Sequence, residues 1–202
     1  MIDRLVEVAG RDVPRETIAR LKAYEALLRA EAKCQNLISS STLEDLWSRH
    51  ILDSAQIVRF EPSDGASWID IGSGAGLPGI VVACIVSGPV VLVEPRRLRA
   101  DFLHRVCESL QLNAKVVFGK AERAEGKFDI ITARAVARLD QLLRISAHLS
   151  TRNTVWALPK GRGAEAELVE AQQAWQGVFH VEQSVTDADS RIVVATGVRA
   201  RR

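Results

Sequence analysis

The chain has 202 residues, 47% of them hydrophobic and 26% charged, with a formal net charge of +2. This is the balance of a soluble globular protein with room for one α/β domain and an extension. It excludes a low-complexity chain, and any affinity for nucleic acid has to come from local patches rather than global charge. Cys34, Cys84 and Cys107 form no C-x-x-C pair, which argues against a disulfide framework or a zinc site and for a reducing compartment. The first residues, Met1-Ile2-Asp3-Arg4, lack the apolar run of a signal peptide, and the longest apolar region, 79–93, is broken by Ser87-Gly88-Pro89. No membrane span is expected, and the expected location is the cytoplasm.

Residues 14–34 read as an amphipathic helix with Ile18, Leu21, Leu28 and Ala32 at helical spacing. Ser41 and Glu44 have the spacing of a capping box for a second helix over 42–59. The apolar face of that helix carries Leu43, Trp47, Ile51, Ala55 and Val58, with His50 and Ser54 on it and Asp53 at its edge. Polar groups there have to be hydrogen-bonded or face a cleft. The loop Glu61-Pro62-Ser63-Asp64-Gly65 divides the chain into a helical extension, 1–61, and a main domain, 62–202.

In the main domain strands and helices alternate. Strands are expected at 68–71, 90–94, 115–119, 128–134 and 155–158, and helices at 80–87, 96–112, 139–149 and 164–175. The helix over 96–112 is expected to bury Leu98, Phe102, Leu103, Val106 and Leu110. Two last strands, 178–185 and 191–198, have no long crossover between them and are expected to pair antiparallel. The pattern predicts a doubly wound, mostly parallel, seven-stranded sheet with an antiparallel edge hairpin.

The main domain opens on a glycine-dense stretch. Trp68, Ile69 and Ile71 supply a β-prone run, and Gly72, Gly74 and Gly76 follow as a turn open to positive φ and to close approach of a ligand. A strand, a glycine turn and a helix start form a nucleotide-cofactor cradle. Two registers fit. Gly74, Gly76 and Gly79 spell the dinucleotide pattern G-x-G-x-x-G. Asp70, Gly72, Gly74 and Gly76 spell D-x-G-x-G-x-G, the pattern of S-adenosylmethionine enzymes. The second register begins where the apolar run ends. A carboxylate there repels a pyrophosphate but suits a ligand with an amino group and a sulfonium.

Ligands of such sheets bind at the carboxyl ends of the strands, where Asp70, Glu94, Ala121, Glu122 and Arg134 are expected. Glu94 follows Gly74 by the spacing of a carboxylate that binds ribose hydroxyls. Ala121 and Glu122 would flank an adenine, and Arg134 would face the reacting centre. Arg96, Arg97, Arg99 and Arg105 on one helix, and Lys160 and Arg162 on one loop, make a candidate phosphate-binding surface, with Arg138 beside them; each also reads as a solvated charge. One tyrosine and five phenylalanines offer no evident stacking platform for single-stranded RNA.

The segments Asn36-Leu37-Ile38, His50-Ile51-Leu52-Asp53-Ser54, 70–80, Thr132-Ala133-Arg134-Ala135 and Lys160-Gly161 together resemble the glucose-inhibited division protein B family. The resemblance spans about residues 30–165 and departs from the family at Ile38-Ser39 and at Pro159. It implies a class I methyltransferase (Rossmann-like) fold with an N-terminal helical extension. It also implies transfer of methyl from S-adenosylmethionine to N7 of a guanine in 16S rRNA, guanine 527 in rRNA numbering, within an assembled 30S particle. It implies cofactor contacts at Gly72, Leu77, Ala121, Glu122 and Arg134, and a cleft lined by Asn36, His50 and Asp53. A monomer without metal is expected. Guanine N7 attacks without losing a proton, so alignment and desolvation suffice, with Arg134, Asp53 and His50 at the reacting centre and Asp53 near the charge gained by the base. The rival readings are a nicotinamide-dependent oxidoreductase, a non-catalytic rRNA-binding assembly factor and a small-molecule methyltransferase.

Overall fold

The computed structural model describes residues 2–39 and 43–201. Seven strands form one sheet: β1 (Trp68–Ile71), β2 (Val90–Glu94), β3 (Ala114–Phe118), β4 (Ile130–Thr132), β5 (Val155–Lys160), β6 (Trp175–Gln183) and β7 (Arg191–Ala200). Their order across the sheet is β3-β2-β1-β4-β5-β7-β6. β1 to β5 are parallel, and β7 is inserted antiparallel between β5 and β6. The chain order reverses at β1, so the crevice beyond β1 and β4 is the place where a doubly wound sheet receives a ligand.

Strand residues alternate between two apolar layers because both faces of the sheet are covered. Trp68, Val90, Leu92 and Val116 face one cluster. That cluster is shared with α1 (Ile2–Ala9), α2 (Arg15–Glu31), α4 (Gly79–Ile85) and α5 (Arg97–Ser109). Ile69, Ile71, Val93 and Trp156 face the other, closed by α6 (Leu139–Ser146) and α7 (Ala164–Ala174). The extension therefore has no separate core: Leu5, Leu21, Tyr24, Leu28, Ile51 and Val58 belong to the same cluster as the sheet.

Several elements differ from expectation. α1 is an additional helix. The helix expected over 42–59 is irregular: residues 44 and 45 form a turn, Trp47–Leu52 is π-helical, Asp53–Ala55 α-helical and Gln56–Phe60 3-10, the last three together called α3. Ser41, half of the predicted capping box, lies outside the described residues. β4 stops at Thr132, whose pairings with Asp70 of β1 and Ala157 of β5 are the last that β4 makes, which leaves Arg134 on the following loop. β5 runs on through Pro159 and Lys160, which pair with Ile192 and Arg191 of β7, so Lys160 is a strand residue and shares no loop with Arg162. β6 starts at Trp175, earlier than expected. Leu98 is 69% exposed, since it stands at the edge of the helix face that Ala100, Phe102, Leu103 and Val106 bury. Among the described residues no helix is long and apolar enough to cross a membrane.

Candidate active site

The glycine stretch forms a tight loop between β1 and α4. Gly72, Gly74 and Gly76 have φ of +66°, +57° and +97°, a region where only glycine is unstrained. A Cβ on Gly72 would stand 2.7 Å from Val136 Cγ2, so the loop following β4 already closes over it. Two buried carboxylates hold the loop's main chain. Glu94 accepts the Gly74 N–H at 2.8 Å through one oxygen and the Arg96 N–H at 2.8 Å through the other. Asp70 accepts the Gly79 N–H at 3.1 Å through Oδ2, at the start of α4.

Asp70 lies within β1 rather than at its end and is 1% exposed. Its Oδ1 is buried and meets no partner among the described residues. Burial pushes its carboxyl up to about 7, opposed in part by the Ser73 hydroxyl, the Gly79 N–H and the Arg134 guanidinium. A buried carboxyl with one idle oxygen beside a bare glycine loop fits a cationic ligand, and Glu94 at the end of β2 fits hydroxyl groups. Leu77 is buried under the loop; Ala121 is buried and Glu122 exposed on the short 3-10 turn after β3.

A second cluster stands where the extension meets the carboxyl ends of β4 and β5. Arg134 donates through Nη1 to Asp53 Oδ2 at 3.3 Å and through Nη2 to His50 Nδ1 at 3.2 Å. The π-helical turn carries His50, and Asp53 follows directly on it. Such wide turns recur at functional sites. A guanidinium only donates, so Nδ1 is the bare nitrogen of His50 and its proton sits on Nε2. Burial, with Arg134 and Arg49 nearby, lowers the His50 imidazolium to about 4, and Asp45 opposes the shift; the ring is neutral at pH 7.

Asp53 is held from its other side. Thr186 Oγ1 and Gln56 Nε2 each donate to Asp53 Oδ1 at 2.8 Å. Gln56 is 2% exposed, donates to Ser184 Oγ at 3.1 Å, and accepts the Val185 N–H at 3.0 Å. The turn between β6 and β7 is thus strapped to the extension. Gln56, Ser184 and Thr186 were not singled out from the sequence, because the partners lie about 130 positions away from Gln56 and no local pattern marks such a contact. Tyr24 was also missed, although a lone tyrosine on an apolar helix face signals a hydroxyl that needs a buried partner.

A cleft of about 1020 Å³ opens over this cluster, lined by Leu37, Ile38, His50, Asp53, Arg134, Arg138, Lys160 and the 184–192 segment. Arg138 lines it and is paired with Glu170. Lys160 is engaged inside the fold: Nζ donates to the Ala137 carbonyl and to Glu167 Oε2, both at 2.8 Å, which pins the loop after β4. The Asn36 carbonyl accepts from Arg99, and Asn36 stands outside the lining. Arg96 is exposed at the start of α5; Arg97 is paired with Asp101 at 2.9 Å and lies over the Phe118 ring. Phe118, 53% exposed, is an aromatic face that composition alone did not reveal. Arg162 lies 3.7 Å from Asp189 on the surface. Among the described residues no group of three or more His, Cys, Asp or Glu side chains is arranged to hold a metal.

The family model of the rRNA small subunit methyltransferase G matches residues 17–193. The ribosomal RNA small subunit methyltransferase G of Sphingopyxis alaskensis is 48% identical over 185 residues, 90% of this chain and 79% of that protein. The protein of the same name from Zymomonas mobilis is 43% identical over 199 residues, 94% of this chain and 90% of that protein. Among solved structures, a SAM dependent methyltransferase from Aquifex aeolicus superposes with a TM-score of 0.63 at 14% identity, covering 84% of this chain and 98% of that one, a likeness of fold. With the glycine loop in the register that starts at Asp70, the chain belongs to the rRNA small subunit methyltransferase G family and is a methyltransferase.

Proposed function

We propose that this methyltransferase transfers a methyl group from S-adenosylmethionine to N7 of a guanine in 16S rRNA, guanine 527 in rRNA numbering, within the 30S particle. It does so as a cytoplasmic monomer. The observation that carries the reading is the cleft beside the glycine loop with Arg134, Asp53 and His50 knotted at its wall. At about 1020 Å³ it has room for an extruded nucleotide, since pockets for small ligands span roughly 300–1000 Å³.

Bound in the cradle, S-adenosylmethionine supplies an electrophilic methyl on a sulfonium. Asp70 and the Gly72–Leu77 loop would hold its charged end, Glu94 its ribose hydroxyls, and Ala121 and Glu122 its adenine. Guanine N7 presents an in-plane lone pair and gives up no proton in the reaction. The work left to the protein is alignment and exclusion of water. His50 is neutral and Arg134 is offset by Asp53, so the base does not meet an uncompensated cation as it gains positive charge. Arg138 lines the cleft, Arg96, Arg97 and Arg162 are exposed, and phosphate contact is their proposed role. Recognition of folded RNA by shape and phosphate fits this arrangement.

The test is transfer of labelled methyl to 30S subunits from a strain lacking the activity, with naked 16S rRNA beside them. Label on a single guanine N7 in the particle is the expected result. Label on another atom, on no RNA, or on naked rRNA in preference to the particle would overturn the respective part of the proposal.

A further inference from the structure

The glycine loop is fixed from a third side, and that side belongs to the extension. Tyr24, the one tyrosine in the chain, lies on α2 and is fully buried. Its hydroxyl donates to the Ala75 carbonyl at 2.9 Å. Ala75 sits between Gly74 and Gly76, both left-handed, and is itself 5% exposed. No other hydrogen bond to that carbonyl is found among the described residues. The fit is close: a Cβ on Gly76 would stand 3.1 Å from the Tyr24 hydroxyl and 2.5 Å from Ile80 Cγ1.

Glu94 and Asp70 grip the N–H groups of Gly74 and Gly79, and Tyr24 grips the carbonyl between them. Two acceptors and one donor, from three elements, thus define the path of the loop. The carboxylates come from the sheet, whereas the phenol comes from the α2 helix. That helix is tied to α5 again by the Glu31–Arg105 ion pair at 2.7 Å, and the turn after it by the Gln35 bond to the Leu98 carbonyl at 3.2 Å.

We infer that Tyr24 is a positioning residue for the methyl donor: its hydroxyl, donated to Ala75, preorganises the glycine loop and makes the helical extension part of the cofactor site. The inference rests on the reading of the loop as the S-adenosylmethionine cradle. A loop held in its binding conformation before the ligand arrives avoids the ordering cost at binding. Removing the hydroxyl while keeping the ring transfers that cost to the binding step and leaves the buried Ala75 carbonyl without a donor.

The experiment is calorimetric titration of S-adenosylmethionine into the full-length chain and its Tyr24→Phe variant, with steady-state kinetics on 30S subunits. The expected result is a Kd raised about fivefold to tenfold, the scale of one lost net hydrogen bond, with the loss carried by the KM for S-adenosylmethionine rather than by kcat. A Kd within twofold of the parent, with only the thermal midpoint lowered, would mean that Tyr24 merely packs the core and would overturn the inference. Should Tyr24→Phe fail to fold, the unsubstituted chain decides. Biosynthetic 3-fluorotyrosine labels position 24 alone. Because the hydroxyl already holds the loop, its 19F resonance is expected to stay a single sharp line that shifts little on titration; a line that broadens or moves far, the mark of a loop that rearranges to bind, overturns the inference. An unsubstituted chain that does not bind S-adenosylmethionine overturns the reading of the loop, and this inference with it.

Discussion

The glycine cradle and the Arg134 cluster lie side by side and are built in opposite ways. The cradle's own chain is local in sequence, since residues 68–79 supply strand, turn and helix start, and side chains of Asp70, Glu94 and Tyr24 hold its main-chain groups. The cluster is assembled from three distant segments, α3, the loop after β4 and the β6–β7 turn, and is held side chain to side chain. In each of these grips one partner is main chain and is present whatever side chains the loop carries. A side-chain network depends on every member, and deleting one member disturbs the rest. The cradle should therefore fail by loss of binding and the cluster by loss of alignment.

The largest effect breaks the cluster at its centre. Arg134→Ala leaves Asp53 and His50 without their shared donor, and the single-turnover methylation rate on 30S subunits is expected to fall by about 100-fold or more, the cost of losing alignment at a reacting centre. Next, Asp53→Asn and Thr186→Val probe the strap. Each is expected to slow the same step, by about tenfold and about threefold, and the double variant by less than the product, because both act through one network. A fully multiplicative double variant would show that the turn does not act through Asp53.

Two pH profiles sharpen the comparison. Asp70 in the cradle has its folded carboxyl raised from the ordinary value of 3.8 to about 7. The protonated form is thus favoured by folding, and its contribution is complete below the unfolded value and is lost as pH rises through about 7. The ligand-free Asp70→Asn variant is expected to lose less thermal stability than the parent between pH 4 and 7, on the same carboxyl values. His50 in the cluster shifts the other way, to about 4. With saturating S-adenosylmethionine, no limb in the single-turnover rate near pH 6.5, the ordinary histidine value, should be traceable to it; a limb there that vanishes in His50→Asn would contradict the neutral-ring assignment. The smallest effect is expected at the rim. Arg97→Ala breaks an exposed pair with Asp101 and should alter folding stability by less than about 0.5 kcal/mol in a denaturant titration.

The same contrast decides what could be read from the sequence. Alternating apolar runs and glycine punctuation marked all seven strands and the cradle, since those signals act over a few residues. His50, Asp53 and Arg134 were named as site residues, but their mutual contacts depend on a π-helical turn and on the early end of β4, which no periodicity encodes. Lys160 illustrates the limit: in sequence it reads as a basic loop residue, yet Pro159 pairs in β5 with β7 and carries it into an internal bond with Ala137 and Glu167. Leu98 reads as a core residue by helical spacing and is exposed, because spacing alone does not give how far the buried face of a helix extends around its axis, and Leu98 stands at the edge of the face that Ala100 and Phe102 bury.

The most direct measurement takes one substitution from each region through two assays, calorimetric affinity for S-adenosylmethionine and single-turnover methylation of 30S subunits at saturating S-adenosylmethionine. Gly72→Asp adds a side chain at φ +66° against Val136 and should abolish binding. Asp53→Asn should keep the Kd within about threefold while the rate falls about tenfold, a loss of transition-state alignment alone. If Asp53→Asn instead weakens binding and saturation restores the full rate, the cluster is part of the cofactor site and the division of labour drawn between the two regions is wrong.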